Sequence, residues 1–299
     1  MMKNIIFALL LLLFLVGCNN AEQPEVQEEE PVEEGVTEED ETEVPDESDT
    51  NTGAGTDEEN EIPESDDSEA VDEQEIEVVE PTYELTEDWG LKPISEEGNE
   101  DVVLLTIDDA PDKRALDMAK TLKELDAEAI FFVNGHFLDT DEEKAILKEI
   151  HELGFDIGNH TYSHQRLSEV SVEKQREEIE SLSNLIEEII GEKPKFFRAP
   201  NGVNTEFAEQ FVKEEGMLLM NWTYGYDYFK PYMDAEKLTT AMVTGEGPEV
   251  DVPYSLLKPG ANLLMHDRDW TADALGDIVI GLRDKGYEIL DPALIKTPE

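Results

Sequence analysis

The chain has 299 residues, of which 75 are Asp or Glu and 22 are Lys or Arg, giving a formal net charge of −53. Such a charge excludes ordinary binding to a nucleic-acid backbone, which needs basic patches. A single cysteine, Cys18, excludes intramolecular disulfides as a source of stability.

The charge is unevenly spread along the chain. Lys3 precedes an apolar run over 5–16, too short for a comfortable membrane span and suited to the h-region of an export signal. Leu15-Val16-Gly17-Cys18 is similar to a bacterial lipobox, in which small residues precede a cysteine that is acylated and becomes the mature N-terminus. The expectation is a lipoprotein signal peptide over 1–17 and a lipid anchor on Cys18, the chain's only hold on the membrane, with the rest facing the cell wall. An uncleaved signal anchor is the competing reading. No Lys or Arg lies between Lys3 and Lys92, where Glu and Asp dominate. Residues 18–83 cannot bury enough apolar surface to offset their conformational entropy, which predicts a disordered, self-repelling acidic tether. Residues 84–100 read as a lead-in, with Trp89 as its expected contact on the folded part.

From 101 to 299 apolar runs alternate with amphipathic segments, over a length sufficient for one large domain. Strand-like runs fall at 102–107, 129–133, 217–222, 261–265 and 287–290, with shorter ones at 155–158 and 196–198. Thr140-Asp141-Glu142-Glu143 is a capping box for a helix that stops at Gly154. Ile179, Leu182, Ile186, Ile189 and Ile190 form a helical stripe that ends at Gly191. Repeated alternation of this kind predicts an α/β fold, a parallel sheet or barrel whose chemistry gathers at strand C-termini.

Polar residues fall where that rule puts them. Asp108, Asp109, His160, Arg198, Asp227 and His266 all lie at or just past an apolar run. His160 and His164 have the spacing that lets two imidazoles meet on one face of a helical turn, as adjacent ligands of a divalent metal do. One carboxylate with two histidines leaves positions open on a zinc-like ion for water and substrate, and the second carboxylate is free to act as a base. Taken singly, the Asp pair also reads as a strand-end turn with a helix cap, and the histidines as polar loop residues. His136 and His151 read as a loop residue and a helix-surface residue, and Trp270 and Tyr254 as core aromatics or cleft walls.

Four ordered motifs carry a resemblance. Thr106-Ile107-Asp108-Asp109-Ala110 stands for Thr-Phe-Asp-Asp-Gly, and His160-Thr161-Tyr162-Ser163-His164 for His-(Ser/Thr)-x-x-His. Arg198-Ala199-Pro200 stands for Arg-x-Pro, and Leu264-Met265-His266 for Leu-x-His. The chain from about 101 onward resembles the polysaccharide deacetylase family, also called the NodB or carbohydrate esterase 4 family. The resemblance implies a distorted (β/α)7-type barrel with parallel strands. It implies Asp108 as general base, positioned by Arg198, and His266 as general acid. Asp109, His160 and His164 would hold a divalent ion, Zn2+ first, with Co2+ able to replace it. Pro200, Asn201, Trp222, Asp227, Tyr228 and Leu264 would contact substrate, Asn201 through its backbone N–H at the oxyanion and Leu264 at the acetyl methyl. Two departures stand out. Ala110 replaces a glycine, with an added methyl expected to narrow the cleft. The family has a further motif, fourth of five in order, between Arg-x-Pro and Leu-x-His; it is degenerate in Trp222-Thr223-Tyr224-Gly225-Tyr226-Asp227-Tyr228, with Gly225 where the first Asp would stand, so the carboxylate that tunes His266 stays open.

The resulting expectation is metal-dependent release of acetate from a GlcNAc- or MurNAc-containing polymer, with cell-wall peptidoglycan the most accessible to an anchored protein. Chitin, xylan or biofilm polymers, and a catalytically silent glycan-binding lipoprotein, are the alternatives. An iron oxygenase also uses two His and one carboxylate. Its carboxylate lies close to the first His in a β-rich barrel, unlike Asp109 here.

Overall fold

The computed structural model describes residues 80–298. The predicted signal peptide, Cys18 and all but the last residues of the predicted tether lie outside that range. The described part opens with an antiparallel pair, β1 (Tyr83–Leu85) and β2 (Leu91–Pro93). Tyr83, assigned by composition to the end of the tether, is buried with Leu91 in a cluster that includes Val102, Leu104 and Phe132. These two residues dock the lead-in. Trp89 is instead half-buried at the turn, with a φ of 65°.

The main sheet is parallel. It comprises β3 (Val102–Ala110), β4 (Ile130–Val133), β5 (Asp156–Asn159), β6 (Phe196–Phe197), β7 (Leu218–Leu219) and β8 (Ala261–His266), in the order β7-β6-β5-β4-β3-β8. A last strand, β9 (Glu288–Ile289), pairs with the first residues of β3. The apolar run of β3 is buried on both faces, as parallel strands under helices are. Helices α1 (Ala115–Glu124), α2 (Asp141–Glu152), α3 (Val172–Ile190), α4 (Glu206–Glu214), α5 (Ala235–Thr244) and α6 (Asp269–Asp284) pack as neighbours in the order α4-α3-α2-α1-α6-α5. The predicted caps are present. Thr140 and Glu143 exchange the two capping-box hydrogen bonds at the start of α2, and Gly191 ends α3 with a φ of 87°.

β7 is shorter than the predicted run for a reason that shapes the fold. After pairing with β6 through Leu218 and Leu219, the chain crosses to the opposite edge of the sheet, where Tyr224 bridges Leu263 of β8. Thr223 N–H donates to the Asn262 carbonyl and Leu264 N–H to the Tyr224 carbonyl, both at 2.8 Å. One segment thus joins both edges, and the sheet curls into the distorted barrel that was expected.

Candidate active site

β3 delivers Asp108 and Asp109 to one end of the barrel. Side chains on a regular strand alternate between faces, so adjacent carboxylates should not share a pocket. Here the register against β4 shifts between Ile107 and Ala110, and Asp109 takes a left-handed φ of 62°. Both carboxylates therefore reach one imidazole: His160 Nε2 lies 3.5 Å from Asp108 Oδ2 and 3.9 Å from Asp109 Oδ1. The same irregularity corrects the expectation for Ala110, whose methyl is buried in the apolar core and does not narrow the cleft. Left-handed backbone recurs at Thr161, His164 and Asn201, with φ of 69°, 55° and 58°. Non-glycine residues seldom adopt it, and such outliers gather at functional sites.

The expected helical turn at His160 and His164 is absent, and a pinned loop does its work. β5 ends at Asn159, whose Oδ1 accepts the Thr161 N–H at 2.9 Å. The Asn134 amide donates to the carbonyls of His160 and Thr161, and Glu178 of α3 accepts both the N–H and the hydroxyl of Ser163 at 2.7 Å. Held this way, the two imidazole centroids are 4.9 Å apart. His164 Nε2 is 3.6 Å from Asp109 Oδ1. Ligand atoms of Asp109, His160 and His164 all lie within 4.8 Å of one another, a group able to hold a metal ion. The donor set fits such an ion. His160 Nδ1 is 2.7 Å from the Arg198 carbonyl oxygen, which only accepts, so Nδ1 carries the proton and Nε2 keeps its lone pair for a ligand. Burial, with His160 alongside, holds His164 below its ordinary pKa, which favours the neutral, ligating form.

Arg198 follows β6 and is fully buried. Its Nη1 donates to Asp108 Oδ1 at 2.6 Å and to the Thr106 hydroxyl at 2.8 Å, and its Nη2 donates to the Asn221 carbonyl at 2.9 Å. The guanidinium lies 4.3 Å from the centre of the Phe132 ring. A buried cation with these partners fixes the carboxylate it pairs with.

On the opposite side, β8 ends at His266. Its Nδ1 is 2.8 Å from Asp227 Oδ1, and its backbone N–H donates to Asp227 Oδ2 at 2.5 Å. Asp227 is fully buried and also accepts the Thr271 hydroxyl at 2.9 Å. Burial alone would lower the pKa of His266, but Asp227, with Asp108 and Asp109 adding to it, outweighs burial and pushes the imidazole up to about 9. Asp227, assigned from sequence to substrate contact, thus stands behind the histidine. Gly225 makes this arrangement possible. A Cβ there would collide with the Leu264 carbonyl oxygen and lie 2.8 Å from Leu264 Cβ, so the crossing chain can approach β8 only with a glycine.

These groups surround a cleft of about 330 Å³ whose walls include Asn201, Trp222, Tyr228 and Leu264, as expected. Pro200 is buried and is not among the lining residues; it sits in the short turn that holds Asn201. Met233, Trp270 and Arg268 also line the cleft. Trp270 was read from sequence as core or wall, whereas Met233 and Arg268 were not singled out. Tyr254 is exposed, and neither it nor His151 lines the cleft. His136 lies beside His164 in an adjoining depression, with Nδ1 3.0 Å from the Tyr162 carbonyl. Glu178 was missed too, although a signal existed: it is a carboxylate in register with Ile179, Leu182 and Ile186 on the buried face of α3.

A curled parallel sheet thus carries paired carboxylates, two imidazoles and a carboxylate-backed third imidazole at one end, the groups a metal-assisted hydrolytic site needs. The polysaccharide deacetylase family model matches residues 95–220. A peptidoglycan-N-acetylglucosamine deacetylase of Bacillus cereus is 30% identical over 194 residues, covering 62% of this chain and 67% of that protein. YlxY of Bacillus subtilis is 30% identical over 173 residues, 58% of this chain and 50% of YlxY, so the chain spans only half the length of that relative. Among solved structures, a mutant of BA3943 of Bacillus anthracis, a carbohydrate esterase 4 family pseudoenzyme with restored activity, superposes with a TM-score of 0.56. It is 26% identical and covers 66% of this chain and 70% of its own. The chain belongs to the polysaccharide deacetylase family.

Proposed function

We propose that this protein is a metal-dependent deacetylase that hydrolyses N-acetyl groups on a GlcNAc- or MurNAc-containing polysaccharide, with cell-wall peptidoglycan as its substrate. The observation that carries the reading is the division of labour across the cleft: Asp108, held by Arg198 at 2.6 Å, faces the ligand group, and His266, held by Asp227 at 2.8 Å, closes the other side.

Asp109, His160 and His164 would hold the ion, Zn2+ by the nature of the donors, with Co2+ able to replace it. When bound, such an ion supplies Lewis-acid polarisation of the amide carbonyl and acidifies a water. The protein's own groups do the rest. Asp108 accepts a proton from the attacking water, with Arg198 keeping its orientation fixed. His266, held protonated by Asp227, donates a proton to the departing amine nitrogen. Asn201 at the cleft wall offers its backbone N–H to the developing oxyanion, Leu264 packs on the acetyl methyl, and Trp222 and Tyr228 give faces for sugar rings. Acetate and a free amino sugar are the products.

Peptidoglycan as substrate is supported by the Bacillus cereus relative, a peptidoglycan-N-acetylglucosamine deacetylase, and by the predicted lipid anchor at Cys18, which would hold the enzyme outside the membrane, facing the wall. The glycan-binding alternative draws on the degenerate fourth motif; the contact of Asp227 with His266 supports the catalytic reading over it. Deleting the gene in its host and measuring free amino sugar in purified wall tests the substrate. A fall in free glucosamine or muramic acid is expected, and an unchanged wall amine content would exclude peptidoglycan.

A further inference from the structure

Arg268 belongs to none of the motifs, yet it is the cation that touches the ligand group. It is the residue before α6, and its side chain reaches back across the end of β3. Nη2 donates to Asp109 Oδ2 at 2.6 Å, while Nη1 donates to Asp112 Oδ2 at 3.2 Å and to the Asp267 carbonyl at 2.9 Å. The two oxygens of Asp109 are thereby divided. Oδ1 faces His160 Nε2 and His164 Nε2 at 3.9 and 3.6 Å, and Oδ2 is taken by the guanidinium.

The platform for this contact is also built. Asp267, next to Arg268, is fully buried and accepts the backbone N–H groups of Lys113 and Arg114 at 2.7 and 2.6 Å. It ties the end of β8 to the loop that follows Asp109, so Arg268 and the carboxylate it holds share one frame. The planar fork serves Asp109 through Nη2 and Asp112 and a carbonyl oxygen through Nη1, two nitrogens where a lysine has one.

We propose that Arg268 is a positioning residue for the metal site: it holds Asp109 as a one-oxygen ligand and so raises the affinity of the site for a divalent ion. The inference rests on the reading that Asp109, His160 and His164 bind such an ion. A carboxylate beside a cation can bind through one oxygen or two, and Arg268 decides between them by occupying the second. The bland alternative is a partly exposed ion pair, which contributes little to anything.

The test uses the full-length chain as wild type, Arg268→Gln and Arg268→Lys. Zn2+ dissociation constants are measured by competition with a chromophoric chelator, and visible spectra are recorded after loading with Co2+. The glutamine variant is expected to bind Zn2+ about 10–100-fold more weakly, the usual cost of losing an outer partner of a ligand, with the lysine variant between the two. The Co2+ band of the glutamine variant should weaken as Asp109 turns both oxygens to the ion and the coordination number rises. Wild-type protein that binds Zn2+ and variants that match it within twofold, with the same Co2+ band, would overturn the proposal. Wild-type protein that binds no Zn2+ would overturn the metal reading itself and this inference with it. If the glutamine variant loses its helical circular dichroism, the lysine variant decides: weaker binding supports the role, and wild-type affinity removes it.

Discussion

Asp227 grips His266 at two points, with Oδ1 2.8 Å from the ring Nδ1 and Oδ2 accepting the backbone N–H of the same residue. A histidine held in this way points its free Nε2 from a fixed position and keeps its proton. The folded-state pKa is raised from 6.5 to about 9, so the pair contributes stability that is complete below about 6.5 and lost as pH rises through about 9. As the proposed general acid, His266 must be protonated, so activity is expected to fall on the alkaline side, at or below about 9 once a cation is bound nearby. Asp227→Asn should move that alkaline limb of the kcat/KM profile to lower pH. An unmoved limb would detach Asp227 from the acid.

Asp108 and Asp109 are neighbours in sequence with different proposed duties, and substitution should separate them. Asp108→Asn is expected to lower kcat by about 10²–10⁴-fold, the usual worth of a general base, while Zn2+ still binds. Asp109→Asn should instead weaken Zn2+ binding itself. Equilibrium dialysis beside initial-rate assays distinguishes the two losses.

Arg198 is a buried cation whose removal strands a buried carboxylate. Arg198→Met should cost about 3–5 kcal/mol of stability, as breaking a buried pair on one side does. Adding Asp108→Asn should recover part of that loss, because no unpaired charge then remains. Urea denaturation of the two single variants and the double variant checks the coupling.

Glu178 holds Ser163 through two hydrogen bonds at 2.7 Å, and with it the loop that carries His164. Glu178→Ala should destabilise the protein by about 1 kcal/mol, the net worth of the hydrogen bonds lost to the half-buried Ser163. It should also weaken Zn2+ binding, since His164 then loses its fixed backbone. Glu178→Gln keeps one acceptor and should fall between. A variant that melts early but binds Zn2+ normally would confine Glu178 to the fold.

The fold was legible in the sequence because its strands are apolar runs bounded by glycines and helix caps that physical chemistry reads directly. The capping box at Thr140 and the stripe ending at Gly191 both stand where expected. The candidate site was legible as a set of residue types at strand ends, but its geometry was not. The φ of 62° at Asp109 and the register shift beside it come from tertiary packing, and periodicity alone predicts the opposite faces for Asp108 and Asp109. The same holds for His164, where a pinned loop replaces the predicted helical turn. Asp227 was visible as a charged residue in a degenerate motif, but its place behind His266 depends on Gly225 meeting Leu264 across the barrel closure. Arg268 gave no periodic signal at all, because it reaches Asp109 from the other end of the chain's folded part.

Acetate release from N-acetylated peptidoglycan, measured before and after chelation and after restoring Zn2+ or Co2+, addresses the chemistry most directly. Wild-type protein should release acetate only when metal is present, and Asp108→Asn and His164→Ala should release essentially none. Acetate release that survives in the His164→Ala protein, or no release by folded wild-type protein carrying bound Zn2+, would contradict a metal-dependent peptidoglycan deacetylase.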